Sequence, residues 1–260
     1  MKNFAKKLYI GLIIIFLYAP IATLIVLSFN ASKTRSKWGG FTVKWYVQLF
    51  HNREILQALW NTLFIALISA LVATVIGTIT CIAMSGMKRR SRAILTGITN
   101  IPMLNAEIVT GISLMLLFIS FGLRFGYGTI LISHITFNIP YVMLSVLPRV
   151  KTLNPSTYEA AMDLGATNIR AFFKVVFPDL FPGVASGFLM AFTMSIDDFI
   201  ITHFTKGVGV DTLSTKIYTE VKKGIKPEMY ALSTIIFATV ILLLLLVNYR
   251  PSGSQKTKEI

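Results

Sequence analysis

Hydrophobic positions in this chain do not alternate; they come in long blocks. Six apolar runs cover residues 8–29, 62–85, 94–121, 127–147, 181–204 and 229–249. Each reaches the ~20 residues that a helix needs to cross the hydrocarbon core of a bilayer. The dyad alternation of a membrane β-barrel is absent. The pattern therefore predicts an all-α integral membrane protein, one transmembrane domain over residues 1–260 with six helices. The third run is the longest and holds Pro102, which predicts a bend or tilt there. The leader MKNFAKK is basic like a signal-peptide n-region. The run behind it exceeds an h-region and no small-x-small site follows, so the reading is an uncleaved first helix.

Between the fourth and fifth runs lies the most polar, most helix-patterned stretch, residues 148–180. Ser156 and Glu159 form S-x-x-E, a capping box that starts a short helix. Gly165 stands where that helix should stop in the left-handed conformation. Thr167 or Asn168 can cap a second helix, whose Ile169, Phe172, Phe173 and Val176 fall at i, i+3, i+4, i+7 on one face. Pro178 is expected to end it. The stretch is too short for a DNA-binding helix-turn-helix with its third helix and core. Two readings remain, a surface-lying helical loop and a docking module. Ala160 and Ala161 are small enough to let a partner approach the backbone, Glu159 and Asp163 flank them, and Gly165 sets the angle between the two helices.

Charge then fixes orientation. The chain carries 25 Lys and Arg against 11 Asp and Glu, a net charge of +14. MKNFAKK and GMKRRSRA are the densest basic segments and are separated by two spans. They lie on one side, and the positive-inside rule makes that side the cytosol. Six spans place the C-terminal KTKEI there too, with residues 148–180 cytosolic and the loops at 30–61 and 205–228 outside. Cations on both sides serve as topology determinants and anchors to membrane lipid headgroups. They form no basic stripe with interleaved aromatics, so no nucleic acid is expected as a partner. The single cysteine, Cys81, lies in an apolar run and reads as a small buried hydrophobe.

Acidic residues inside spans mark a pathway or a paired partner. Glu107 lies in the third run, and Asp197 and Asp198 in the fifth. Neighbours on a helix point ~100° apart, so the two aspartates are not expected both to face one cavity squarely, whereas Ser195 and Asp198 share a face. Asn105 and Asn138 add polar groups at depth. No lysine or arginine lies near these acids, and unpaired carboxylates on a path suit a cationic cargo. Hydrogen bonding to neighbouring helices is the alternative for each of them. Phe192 or Tyr141 can line such a path by cation–π contact, though aromatics at helical spacing usually pack. His134 reads as a hydrogen-bond partner for a neighbouring helix.

The stretch EAAMDLGATNIRAFFKVVFP resembles the EAA signature of permease subunits of ATP-binding-cassette importers, E-A-A, three residues, G, nine residues, I-x-L-P. Glu159, Ala160, Ala161, Gly165 and Pro178 match, while Val175 and Phe177 stand where Ile and Leu are usual. The segments YAPIATLIVLSFN, FTVKWY, SHITFNIPYV and FTMSIDDFIITHF extend the resemblance to the second permease of spermidine/putrescine importers. The resemblance implies a type I importer permease fold whose hairpin is a coupling helix docked on an ATPase subunit through Glu159, Ala160, Ala161, Asp163 and Gly165. It implies a polyamine path past Asp198, Asp197, Glu107 and Ser195. It also implies as partners a homologous permease, two ATP-binding subunits that hold ATP and Mg, and an extracytoplasmic solute-binding protein. This chain would bind no cofactor itself, and it carries no G-x-x-x-x-G-K-[ST]. Other cargoes of related permeases (iron, thiamine, a sulfonate) stay open. An ion-coupled secondary transporter would need inverted repeats and broken helices around a midplane site; the sequence displays neither, though Pro102 leaves room for one broken helix. A membrane enzyme would need a nucleophile–base set or a metal cluster, for which one cysteine and three scattered histidines offer nothing.

Overall fold

The computed structural model describes residues 2–34 and 36–249; the C-terminal KTKEI lies outside them. The described residues form twelve α-helices, and their one β feature is an isolated bridge between Asn30 and Phe41. Four helical stretches are long and apolar enough to cross a bilayer, or five if one bent pair counts as a single span. Helix length and composition alone therefore give four to five candidate spans among the described residues, and the count of six expected is not reached by that test. The sixth apolar run does form a helix, α12 (Pro227–Tyr249).

Contacts group the chain into two units. In the first, α1 (Lys2–Ser28) packs on α12, and the short α2 (Lys44–His51) also lies on α12. The loop between α1 and α2 is organised by Asn30. Its side chain bonds Lys37 O, Ser32 N and Gly39 N, and its carbonyl accepts from the buried Trp45 Nε1 at 2.7 Å.

The second unit, residues 56–216, holds the rest of the functional architecture. It contains most of α3 (Arg53–Ser85), then α4 (Arg89–Leu104), α5 (Glu107–Ser120) and α6 (Tyr127–Thr152). After α6 come α7 (Pro155–Asp163), α8 (Asn168–Ala171), α9 (Phe177–Asp197) and α10 (Ile200–Thr205). A π-helical turn, Phe172–Val176, joins α8 to α9, so helix continues from residue 168 to 197. α11 (Leu213–Lys223) follows on the loop after α10.

The α6–α9 pair is the spine of this unit. On α9, Gly183, Gly187, Ala191 and Ser195 recur every four residues and all are buried. On α6 the facing row is His134, Asn138, Val142, Val146 and Val150, also buried and also four apart. Rows at i+4 lie one above another on a helix, and small residues let two backbones approach closely in a membrane. A Cβ added at Gly187 would sit 3.2 Å from Val142 Cα, and one at Gly77 of α3 would sit 2.8 Å from Val142 Cγ1. Val142 thus fills the junction of three helices. Cys81 is fully buried in the same core, as expected.

Several boundaries differ from the sequence reading. The helix does not stop at Pro148, because α6 runs on to Thr152. Pro178 does not end the second hairpin helix; helix runs through it into α9, with the π-helical turn at Phe172–Val176 directly before it, so its missing N–H interrupts the ladder without stopping the helix. The polar stretch outside the long helices therefore shrinks from 148–180 to roughly 153–167. Two spans are broken. The third apolar run does not bend gently at Pro102 but splits at Asn105–Ala106 into α4 and α5, which diverge by 103°. The fifth run breaks at Asp198, which adopts extended backbone (ψ 125°) between α9 and α10.

Candidate functional site

The two breaks lie beside one cavity. Its walls are Pro102, Glu107, Thr110, Phe137, Tyr141, Met194, Asp197, Asp198 and Ile201, enclosing about 100 Å³. Glu107 opens α5 in its first turn, where a carboxylate suits the positive end of the helix dipole. Asp197 closes α9 and Asp198 is its C-cap. The expectation that neighbouring aspartates do not both face one cavity squarely assumed unbroken helix. The extended residue at the break turns both toward the same space.

The three carboxylates are held differently. Asp198 is not unpaired: its side chain is 4% exposed and caps α10. Its Oδ1 accepts from Ile201 N at 3.2 Å, and its Oδ2 from Thr202 N at 2.8 Å and Thr202 Oγ1 at 2.7 Å. Glu107 and Asp197 are exposed and have no hydrogen bond or ion pair among the described residues. Among the described residues no lysine or arginine lines the cavity.

A buried polar ladder braces the break. His134 Nδ1 lies 2.5 Å from Ser195 Oγ, and Nε2 lies 2.8 Å from Thr202 Oγ1 and 3.4 Å from Asp198 Oδ2. Ser195 Oγ is in turn 3.1 Å from Ser69 Oγ of α3. Thr202 gives its hydroxyl proton to the carboxylate, so its oxygen accepts from His134 and Nε2 carries a hydrogen. Ser195, expected on the path, instead belongs to this ladder at 3% exposure. His134 bonds a neighbouring helix, as the sequence suggested. Asn138, one turn along α6, is fully buried with neither side-chain atom bonded.

Of the two aromatics considered for the path, Tyr141 lines the cavity. Phe192 does not: it stacks on Phe188 (centroids 6.0 Å apart) and packs on the core. Thr202, Ser69, Phe137 and Thr110 were not singled out in the sequence. Asp198 followed by Thr202 four residues on is a legible capping pair, and would have exposed the break. Nothing in the sequence identifies Ser69, because its partner comes from a helix 126 residues away.

The hairpin forms a second surface. The N-cap of α7 is Asn154, whose Oδ1 accepts from Ser156 N at 3.1 Å, with Pro155 at the first helical position. Ser156 is thus inside the helix rather than its cap, because Pro155 supplies the preset φ that starts a helix. The helix ends in a Schellman motif: Gly165 N bonds Met162 O at 2.9 Å and Ala166 N bonds Ala161 O at 3.1 Å. Gly165 has φ +80°, as expected. Thr167 caps α8 through Arg170 N. Glu159, Ala160, Asp163 and Gly165 are exposed and Ala161 is half-buried. Leu164 (90% exposed) and Ile169 (73%) stand beside them, an apolar patch on an otherwise polar hairpin.

Residues 73–250 match the family model described as binding-protein-dependent transport system inner membrane component. The chain is 39% identical over 243 residues to the spermidine/putrescine transport system permease protein PotC of Escherichia coli strain K12, covering 94% of this chain and 91% of that protein. It is 37% identical to the putrescine transport system permease protein PotI of the same strain, covering 86% and 83%. A PotC homolog of Mycoplasma genitalium is 31% identical, covering 100% and 95%. Among solved structures, a bacterial ABC transporter involved in the import of the acidic polysaccharide alginate superposes with a TM-score of 0.71. That match covers 97% of this chain and 96% of that chain at 15% identity, so the likeness is one of fold.

Proposed function

The chain belongs to the binding-protein-dependent transport system inner membrane components, and from that membership we propose that it is a permease subunit of an ATP-driven polyamine importer. Its cargo is spermidine or putrescine, the cargo in the names of its relatives. It works with a homologous permease, two ATP-binding subunits and an extracytoplasmic solute-binding protein. ATP and Mg are bound by the ATP-binding subunits. The six apolar runs are read as six spans of one permease domain over residues 1–260, α12 being the sixth, with both termini in the cytosol.

The observation that supports the cargo path best is the meeting of Glu107, Asp197 and Asp198 at one cavity with no basic residue among those described. A carboxylate facing lipid is expensive, yet Glu107 and Asp197 are exposed on this chain. Both facts are accounted for if that face looks onto a water-lined path shared with the partner permease. A polyamine is a flexible row of ammonium groups. The two unbonded carboxylates can each take one ammonium, and Tyr141 offers a ring face to another. Asp198 adds its charge to the same space while holding α10 in place.

Transport follows from coupling the two surfaces. The α7 hairpin, with Glu159, Ala160, Ala161, Asp163 and Gly165, seats on an ATP-binding subunit, with Leu164 and Ile169 as apolar anchors. Helix continues from the hairpin through α9 to Asp197. A displacement of the hairpin is therefore delivered along one continuous helix to the carboxylates. The direct test is purification of the tagged chain from its own membranes with identification of co-purifying proteins. An ATP-binding subunit and a second permease are expected. A chain that purifies alone, and still moves polyamine under a proton gradient, would overturn the proposal.

A further inference from the structure

A second, larger cavity lies behind α7. It encloses about 620 Å³ between the end of α3, the end of α6, α7 and the π-helical turn. Its walls are mainly apolar, built from Ile82, Leu147, Val150, Phe172, Val175 and Val176. An adjoining cavity of about 540 Å³ shares Arg92, Leu147 and Lys151 with it and adds Arg89. Three cations thus rim an apolar hollow against one carboxylate, Asp179.

The cations are available. Arg92 is fixed by the carbonyls that end α3: Nε donates to Met84 O at 2.9 Å, and Nη2 to Ser85 O at 2.7 Å and Met87 O at 3.3 Å. That anchoring orients the guanidinium and leaves Nη1 without a partner among the described residues. Arg89 and Lys151 are exposed and form no ion pair there. α4 and α9, whose ends supply Arg92 and Asp179 to the cavities, also expose the apolar Ile94, Ile98 and Phe181. In the orientation proposed above, such a face suits the boundary between hydrocarbon and water.

We infer that these joined cavities bind an anionic phospholipid of the cytosolic leaflet. An acyl chain lies on the apolar wall, and the phosphate meets Arg92 Nη1, Lys151 and Arg89. An apolar hollow with a cationic rim at helix ends is complementary to that amphiphile and not to a free anion, and basic pockets between spans at the cytosolic face bind such headgroups. The bound lipid fills the space behind α7 and braces the hairpin against α6 and α9. The inference rests on the orientation proposed above.

The test uses the purified transporter complex in nanodiscs of phosphatidylcholine alone, or of phosphatidylcholine and phosphatidylglycerol in equal parts. Native mass spectrometry then reads the retained lipid. Phosphatidylglycerol should be retained in preference to phosphatidylcholine. Arg89→Gln with Lys151→Gln should weaken retention about five-fold per lost cation. Val175→Trp, which fills the hollow and leaves the charge intact, should also weaken it, and inorganic phosphate should not displace the lipid. Equal retention of the two lipids, no effect of either variant, or displacement by phosphate alone would each overturn the inference. Polyamine stimulation of ATP hydrolysis in the discs that contain phosphatidylglycerol, where the lipid is supplied, reads the proposed function separately, so either idea can fail without the other.

Discussion

Neutralising Asp197 and neutralising Asp198 should have different consequences, although the residues are neighbours. Asp198 accepts three hydrogen bonds from α10. An asparagine keeps one acceptor oxygen, and its amide must then face a backbone N–H, donor against donor. Leaving a buried donor unsatisfied costs about 1–3 kcal/mol, and chains of this size lose roughly 2–4 °C in Tm per kcal/mol. Asp198→Asn should therefore lower the melting temperature of the solubilised complex measurably. Asp197 has no partner among the described residues to lose, so Asp197→Asn should stay within about 0.5 kcal/mol of the native protein. Its effect should fall on cargo. An ammonium ~4 Å from a carboxylate is attracted by about 4 kcal/mol at an effective dielectric of 20. Exposed pairs retain about 1 kcal/mol or less of that. The polyamine concentration for half-maximal uptake should rise about five-fold. Thermal melts and labelled-spermidine uptake into proteoliposomes, run on both variants, separate the roles. The reasoning fails if Asp197→Asn melts lower than Asp198→Asn, or leaves the concentration dependence of uptake unchanged.

Gly165→Leu forces a left-handed residue to carry a side chain, at about 1–2 kcal/mol. A Cβ there meets nothing within 4 Å, so the disturbance stays in the hairpin. The variant should insert normally and lose uptake, and normal uptake would remove the docking role. Gly187→Leu drives a side chain against the Val142 backbone at 3.2–3.3 Å, an overpacking cost of about 1–3 kcal/mol. An unchanged melting temperature would contradict the close α6–α9 packing. His134→Leu removes two interhelical hydrogen bonds, worth about 0.6 kcal/mol each in membrane proteins. It should be destabilising and partly rescued by His134→Gln, and a leucine variant as stable as native would remove the ladder from the account.

The helical, membrane-embedded class was legible because run length speaks directly to bilayer thickness. Gly165 and Thr167 were legible because a left-handed turn and an N-cap each demand particular residues. Helix ends at proline were misread. Pro148 and Pro178 lie within or at the start of long helices, where packing outweighs a missing hydrogen bond. The Gly183, Gly187, Ala191, Ser195 stripe is a visible signal of close helix packing that hydropathy alone passes over. The acidic cavity needed the two breaks, and these depend on tertiary partners. Asp198 leaves the helix because α10 supplies three donors for its carboxylate, and Glu107 reaches the same space because α5 turns by 103° from α4. No local pattern brings residues 107 and 197 together.

This chain moves a polyamine with energy from a partner ATPase. ATP hydrolysis by the purified complex, measured with unloaded and with spermidine- or putrescine-loaded binding protein, tests it most directly. Low basal turnover should rise when the loaded binding protein is added, and rise less in the Glu107→Gln, Asp197→Asn double variant. Turnover indifferent to polyamine, with the complex intact, would contradict it.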